Sequence, residues 1–169
     1  VPDSKNDKSP WSNINVRLAA SYALDRNSLA KALGYGFAIP AYQLYPGYAD
    51  SKIAGLVPPE FNLAKANDLL TQAGYPNGFK MTIKILSGYP EFVAASVVLA
   101  DQLRKLDIDT ELIQLEPGEF VRQYIRPVES QDFDMYSTAR TNYPAPDVYL
   151  YQFYVPGAML NRGYNNPTV

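Results

Sequence analysis

The run STARTNYPAPDVYLYQF, residues 137–153, combines side chains that bind small polar solutes. Arg140 offers a planar fork of N–H donors for a carboxylate or phosphate, and Asn142 both donates and accepts hydrogen bonds, which suits sugar hydroxyls. Tyr143 and Tyr149 add rings with one apolar and one polar end. We interpret these residues as the ligand-binding set. The alternative is that Arg140 is a surface charge and Asn142 a turn residue.

The composition excludes several kinds of catalytic and metal site. The chain of 169 residues has no His and no Cys, which excludes a Ser-His-Asp triad, a His- or thiolate-ligated metal and a thiol nucleophile. Its 15 basic and 17 acidic residues give a formal net charge of −2, and their scatter provides no footprint for nucleic acid. We therefore expect no metal, no cofactor and no nucleic-acid partner, and the composition leaves only carboxylate or lysine chemistry for catalysis.

Carboxylate pairs are the remaining candidates for acid–base chemistry. Asp107, Asp109 and Glu111 alternate along a short segment and fit a solvated strand edge better than a catalytic pair. Asp132 and Asp134 flank Phe133, where a predicted strand begins, and we interpret both as turn caps. Neither group is predicted to be catalytic.

Aromatic residues make up 13% of the chain, and tyrosine, with 14 copies against 7 Phe and 1 Trp, dominates them. Tyrosines fill half-buried positions in α/β domains, and they also line clefts that bind peptides or sugars. A cluster lies within and directly after the ligand-binding run: Tyr143, Tyr149, Tyr151, Phe153 and Tyr154. This cluster favours the cleft interpretation.

Helical periodicity and capping residues predict the helices of the first half of the chain. The polar residues before the first helix predict a surface strap. Small apolar residues repeat over 14–24, and Asp25 is a good N-cap for a second helix over 26–33. Asn62 caps the next helix, which has one apolar face and which Gly74 closes in the left-handed conformation. The proline-rich region between the second and third helices has no periodicity, which predicts a long loop.

Alternation of apolar and polar residues predicts a parallel sheet in the second half. The stretch 80–86 has the period of a half-buried strand, with Lys84 on its polar side, and 108–115 is rich in strand formers. The helical pattern between these strands completes a βαβ unit with a right-handed crossover.

The remaining elements place the ligand-binding run at the end of a strand. A helix starts at Pro117, and its predicted apolar face consists of Phe120, Val121, Tyr124 and Ile125. A short strand is predicted over 133–137 and a buried helix over 147–154. The run therefore leaves a strand and enters a helix, the place where open α/β sheets present ligand-binding loops.

Five stretches resemble, in the same order, motifs of the family 5 extracellular solute-binding proteins, the oligopeptide, dipeptide and nickel receptors of ABC importers. These stretches are SPWSNINVRLAASYALDRNSLAKALGYG, NLAKANDLLTQAGYPNGFKM, VVLADQLRKLDIDTEL, PGEFVRQYI with FDMY, and LNRGYNNPTV. The family has glycine where Asp107 stands, and Asp also tolerates a left-handed helix end. The resemblance covers nearly the whole chain.

The resemblance implies an α/β fold, a lobe of the class II periplasmic-binding-protein type with a mixed sheet, a parallel βαβ unit and flanking helices. It implies one excised lobe over 1–169 that captures a small solute (a peptide, an oligosaccharide, a chelate or another anionic compound) against a missing N-terminal lobe of the same chain. The expected partner is the membrane permease of an ABC importer. The expected location is periplasmic or extracellular, with or without a lipid anchor, and such a receptor is not an enzyme.

One departure from the family pattern concerns the solute. In peptide receptors of the family an aspartate pairs with the ammonium end of the peptide, and alignment on Pro146 puts Asn142 at that position and Ala145 at a second acidic one. An amide does not neutralise an ammonium as a carboxylate does. We therefore expect a sugar-like or anionic solute rather than an unmodified peptide.

Two other classes of protein fit the same sequence. One is a small α/β enzyme domain that acts on a sugar or nucleotide with carboxylate or Lys chemistry, and the other is an aromatic protein-interaction module. The length is enough for one domain with its own core. No apolar run reaches the roughly 18 residues that span a membrane.

Overall fold

The computed structural model of the protein describes residues 8–40, 42, 53–126, 132–138, 151, 154, 155 and 158. The elements in these residues are, in chain order, a short 3₁₀ helix (Pro10–Ser12), helices α1 (Ile14–Ala23), α2 (Arg26–Leu33) and α3 (Leu63–Gln72), strand β1 (Lys80–Leu86), helix α4 (Pro90–Arg104), strand β2 (Asp109–Leu115), helix α5 (Pro117–Tyr124) and strand β3 (Met135–Ser137). This order of helices and strands confirms the predicted α/β class.

Helices α2 and α3 begin where their capping residues predict. The Asp25 carboxylate accepts a hydrogen bond from the backbone N–H of Ser28 at 3.0 Å, and Asn62 Oδ1 accepts one from the N–H of Lys65 at 2.9 Å. Each contact satisfies an N–H group that the start of a helix leaves without an intrahelical partner. Gly74 follows α3 with a φ of 89°, the left-handed conformation predicted for this helix end.

The described strands form a parallel sheet in the order β2-β1-β3. Lys80 lies opposite Asp109 and Leu86 opposite Leu115, so β1 and β2 pair along their whole length. Helix α4 connects them, which confirms the predicted βαβ unit. β3 pairs in parallel with the other side of β1. The antiparallel strand that a mixed sheet requires does not lie among the described residues.

The main core lies on the sheet face that α1, α3 and α4 cover. Met81, Ile83 and Ile85 of β1 are at most 3% exposed, as the alternation predicts. They pack among buried side chains from the helices and from the segments before α1 and β2: Trp11, Val16, Ala19, Ala23, Ala66, Leu70, Leu103, Leu106 and Ile108. Because Trp11 is only 1% exposed, the described residues before α1 are anchored in the core instead of forming the predicted surface strap.

A smaller core lies on the opposite sheet face, under α5. Its buried members are aromatic and come from α5, from β3 and from the residue run before β3: Phe120, Tyr124, Phe133 and Tyr136. The predicted apolar face of α5 was too wide, since Val121 and Ile125 are 52% and 56% exposed. Only one narrow side of this short helix contacts the sheet.

Three charged residues on the α5 face differ from the sequence-based expectation. Lys84, predicted on the polar side of β1, is 6% exposed, because α5 and the residues before β3 cover this face as well. Its ammonium forms an ion pair with Asp132. Asp134 Oδ2 accepts a hydrogen bond from the backbone N–H of Thr82 at 2.9 Å. The carboxylates of Asp132 and Asp134 therefore contact β1, which the sequence did not predict.

The connections agree with the sequence where the structure describes them. Asp107, after α4, has a φ of 57°, the left-handed conformation expected there. The described part of the predicted long loop contains neither helix nor strand. Of the predicted buried helix over 147–154, Tyr151 and Tyr154 are described, and they are 62% and 38% exposed. Among the described helices, none has both the length and the apolar character needed to cross a membrane.

Candidate functional site

The parallel strands end at one edge of the sheet, which we call the carboxyl edge. β1 ends at Leu86, β2 at Leu115 and β3 at Ser137. The backbone N–H of Ser87 donates to the carbonyl oxygen of Leu115 at 2.9 Å, which ties the residue after β1 to the end of β2. Open α/β sheets bind their ligands outside this edge, in the loops that leave the strands.

An open depression of about 480 Å³ lies at the carboxyl edge beside β1 and β2. Its walls are the turn after β1, the start of α4 and one side chain near the end of β2: Gly88, Tyr89, Pro90, Val93, Ala94 and Gln114. Tyr89 and Gln114 are exposed, so a phenol and a carboxamide are available to a solute. The volume lies within the range of sites that hold small ligands.

Three consecutive residues shape the depression. Gly88 has a φ of 87°, and its left-handed turn takes the chain out of β1. Pro90 lies in the first turn of α4, where the N–H that proline lacks would have no intrahelical partner. The ring of Tyr89 stacks on the ring of Phe92, with centroids 4.9 Å apart and an interplanar angle of 23°. This stacking holds the Tyr89 ring at the start of α4.

The charges at the carboxyl edge lie around the depression rather than inside it. None of the described lining residues is charged. Glu91 and Glu119 lie in the first turns of α4 and α5, where the partial positive charge of a helix N-terminus favours a carboxylate. Hydrogen bonds from Gln123 and from Arg122 lower the pKa of Glu119 below its usual value. The described lining of the depression therefore offers apolar surface, one phenol ring and neutral hydrogen-bonding groups.

The described residues form neither a metal site nor an arrangement typical of acid–base catalysis. No three acidic side chains in the described ranges lie close enough together to hold a metal ion. Asp107, Asp109 and Glu111 are exposed, as expected for a solvated strand edge. Lys84 is bound to Asp132 on the sheet face opposite α4 and does not line the depression.

The predicted ligand-binding residues Arg140, Asn142, Tyr143 and Tyr149 lie outside the described residues. Their run starts at the carboxyl edge, because Thr138 directly follows β3. Its start therefore lies at the same edge of the sheet as the depression. The roles of these four side chains remain predictions from the sequence.

The depression beside β1 and β2 was not predicted from the sequence. A signal for it is present, since a glycine two residues after a predicted strand and a proline at the start of the next helix mark the same edge that β3 marks. Gly88 and Pro90 occupy those positions. Gln114 gives no such signal, because only the strand register brings it beside Tyr89.

The sequence is similar over most of its length to a family of bacterial binding proteins. The family described as "Bacterial extracellular solute-binding proteins, family 5 Middle" matches residues 4–161. Glutathione-binding protein GsiB from Pectobacterium atrosepticum is 31% identical over 112 residues, covering 65% of this chain and 21% of GsiB. GsiB from Escherichia coli is 33% identical over 115 residues, with the same coverage. The chain thus spans about a fifth of the length of these relatives.

The structure is similar to solved binding proteins as well. It matches the ABC transporter-associated periplasmic binding protein DppA from Helicobacter pylori, in complex with the peptide STSA, with a TM-score of 0.82 and 27% identity. The match covers 95% of this chain and 32% of DppA. The fold is therefore of the class II periplasmic-binding-protein type, and the chain spans about a third of that structure.

Proposed function

We propose a function from one premise: the chain belongs to the bacterial extracellular solute-binding proteins of family 5. In this proposal, residues 1–169 form one α/β lobe of a receptor that captures a small solute between two lobes and delivers it to the membrane permease of an ABC importer. The receptor acts in the periplasm or outside the cell, with or without a lipid anchor. An enzyme domain is not favoured, because the relatives are named as binding proteins.

The carboxyl edge is the observation that carries the proposal. It combines an open depression of about 480 Å³, whose described lining carries no charge, with the start of the run that leaves β3 at Thr138. An open depression suits a solute that a second lobe covers, since closure around a ligand supplies contacts from both sides. The chain spans 32% of DppA, so a receptor of that length has ample chain for a second lobe.

The two-lobe proposal predicts that the isolated 169-residue chain binds its solute weakly or not at all. The isolated lobe offers only part of the contacts of a closed cleft, yet it must meet the full free-energy cost of association. Isothermal titration calorimetry with glutathione compares the isolated chain with the full-length protein. Equal affinity in both would show that the site is self-contained and would contradict the proposal.

The proposed solute class is anionic or sugar-like, from the side chains of the ligand-binding run. Asn142 stands where peptide receptors of the family have an aspartate for the peptide ammonium, and Arg140 offers donors for a carboxylate. Relatives at 31–33% identity are named for glutathione. Glutathione carries two carboxylates and one ammonium at neutral pH, so its net negative charge places it among the anionic solutes, while its ammonium is a group for which Asn142 offers no carboxylate.

The substitution Asn142→Asp in the full-length protein tests the solute class. Calorimetry compares a tetrapeptide with a free amine against the same peptide with an acetylated amine. The wild-type protein should not prefer the free amine, whereas Asn142→Asp should, because the new carboxylate pairs with the ammonium. Asn77→Asp is the matched control, since Asn77 is an exposed turn residue before β1, at the opposite edge of the sheet. A wild-type preference for the free amine would contradict the inference from Asn142.

A further inference from the structure

Lys84 is a buried charge in the middle of β1, away from the depression at the carboxyl edge. Its side chain is 7% exposed, on the sheet face under α5. The ammonium forms an ion pair with Asp132, donates to Gln123 Oε1 at 2.6 Å and lies 5.2 Å from the centre of the Phe133 ring. Burial of an ammonium is costly unless such partners replace water. One nitrogen atom therefore connects β1, α5 and the residues that lead into β3.

The contacts of Lys84 hold the start of β3 against β1. β3 is three residues long and, among the described strands, pairs with β1 alone. Two anchors precede it. Asp132 binds the Lys84 ammonium. Asp134 forms two hydrogen bonds with the backbone of Thr82: its N–H donates to the Thr82 carbonyl oxygen at 3.2 Å, and its carboxylate accepts from the Thr82 N–H at 2.9 Å. So short a strand has few backbone contacts of its own, so these contacts add to the packing of the buried Tyr136 in fixing its position.

The position of β3 determines where the ligand-binding run begins. Ser137, the last residue of β3, lies opposite Ile85, and the run continues from Thr138. A shift of β3 along β1 moves Thr138, the residue at which the run leaves the strand, by the same amount. A binding site that is displaced or loosened by about 1 Å already loses function.

We propose that Lys84 is a positioning residue for solute binding: through Asp132 and Gln123 it fixes β3, and with it the start of the run after Thr138, without touching the solute. This inference rests on the proposed function, because it takes the run to bind the solute. A buried ion pair adds little net stability over an apolar side chain of similar volume. Loss of the Lys84 ammonium should therefore alter the position of β3 more than the stability of the whole protein.

Hydrogen exchange of the full-length protein, followed by mass spectrometry, tests the positioning role without a solute. In Lys84→Met, amides over 132–138 should exchange about tenfold faster, the effect of losing one hydrogen bond to a charged group, while amides of α1 and α3 should be unchanged. Lys80→Met is the matched control, because Lys80 lies on the same strand and face but is exposed; it should match the wild type. Unchanged exchange over 132–138 in Lys84→Met, or a uniform increase across the protein, would overturn the inference.

Asp132→Ala provides a second variant that keeps the buried lysine and removes its partner. In the wild-type background it should accelerate exchange over 132–138, so the inference can be tested even if Lys84→Met does not fold. In the Lys84→Met background it should add nothing, because the two residues act as one contact. Additive effects of the two substitutions would show that Lys84 does not act through Asp132.

Solute binding supplies the functional measurement, with glutathione as the probe. Calorimetry should give a Kd about tenfold weaker for Lys84→Met, a loss of about 1.4 kcal/mol, and an unchanged Kd for Lys80→Met. An unchanged Kd in Lys84→Met would overturn the inference. If the wild-type protein binds neither glutathione nor a peptide, the proposed function fails, whereas the exchange data still decide whether Lys84 positions β3.

Discussion

Gly78 is a position where an added methyl group meets backbone atoms. Its φ is 64°, and a Cβ placed there would lie 2.0 Å from the carbonyl oxygen of Asp107 and 2.8 Å from that of Leu106. A hydrogen bond holds the segment around Gly78 against the segment around Asp107: the N–H of Asp109 donates to the carbonyl oxygen of Phe79 at 2.9 Å. Because the overlapping atoms of Asp107 and Leu106 belong to the backbone, no side-chain rotation relieves the overlap.

Gly78→Ala should therefore lose free energy of unfolding for two separable reasons. A residue with a Cβ in the left-handed conformation costs about 1–2 kcal/mol, and steric overlap in a packed region costs about 1–3 kcal/mol, which together give about 2–5 kcal/mol. Gly74→Ala isolates the first cost, because Gly74 has a φ of 89° and no atom within 4 Å of a Cβ placed there. At about 2–4 °C per kcal/mol, the Tm should fall by roughly 4–20 °C for Gly78→Ala and roughly 2–8 °C for Gly74→Ala.

Urea unfolding followed by circular dichroism measures both free energies. The slopes of free energy against urea concentration should match the wild type, which shows that the substitutions act on stability rather than on the unfolded state. Gly78→Ala should be less stable than Gly74→Ala by at least about 1 kcal/mol. Equal losses at the two positions would refute the reasoning, since they would mean that the turn at Asp107 moves aside without cost.

Three further predictions concern single contacts and use the same unfolding assay. The hydrogen bond from Lys84 is the largest cause that holds the pKa of Asp132 below its usual value. The stability that the ionised Asp132 contributes is therefore present above the unfolded pKa of about 3.9 and is lost as the pH falls through the folded pKa. The stability difference between wild type and Asp132→Asn should accordingly shrink below about pH 4, and a difference independent of pH would contradict this. Because Asp107 has a φ of 57°, Asp107→Val should cost about 1–2 kcal/mol and Asp107→Gly should stay within about 1 kcal/mol of wild type; equal effects would contradict the strain argument. Phe120 is 5% exposed and Val121 is 52% exposed, so Phe120→Ala should cost about 3–5 kcal/mol and Val121→Ala less than about 0.5 kcal/mol, and comparable losses would mean that both sides of α5 are packed.

Helix starts and strand pairing were predictable because the chemistry that sets them is local. Asp25 and Asn62 each bind an N–H three residues further on, so the capping residue and its partner are read together in the sequence. The pairing of β1 with β2 follows from a general rule, since two strands joined by one helix pair in parallel through a right-handed crossover. Neither prediction needed information about distant parts of the chain.

Side-chain burial on the α5 face was not predictable in the same way. Alternation assigns Lys84 to the solvent side of β1, and that assignment is right only while nothing covers the second face of the sheet. Its partners Gln123 and Asp132 lie 39 and 48 positions away in sequence, so their arrival beside β1 is a tertiary event. The same placement of α5 leaves Val121 in solvent, although its spacing from Phe120 and Tyr124 suggested an apolar face.

In the proposed function, two parts of the carboxyl edge share the recognition of the solute. The described lining of the depression has a phenol, a carboxamide and apolar side chains but no charge, so this part would distinguish solutes by size and by neutral hydrogen bonds. A charged solute in a closed cleft also needs a partner of opposite charge or several strong donors, since an unpaired buried charge is costly. Within this chain the run after β3, with Arg140, supplies that partner in the proposed function. Accurate placement of β3 then matters more for a charged solute than for a neutral one, because misplacing the partner of a buried charge costs more than lengthening a neutral hydrogen bond.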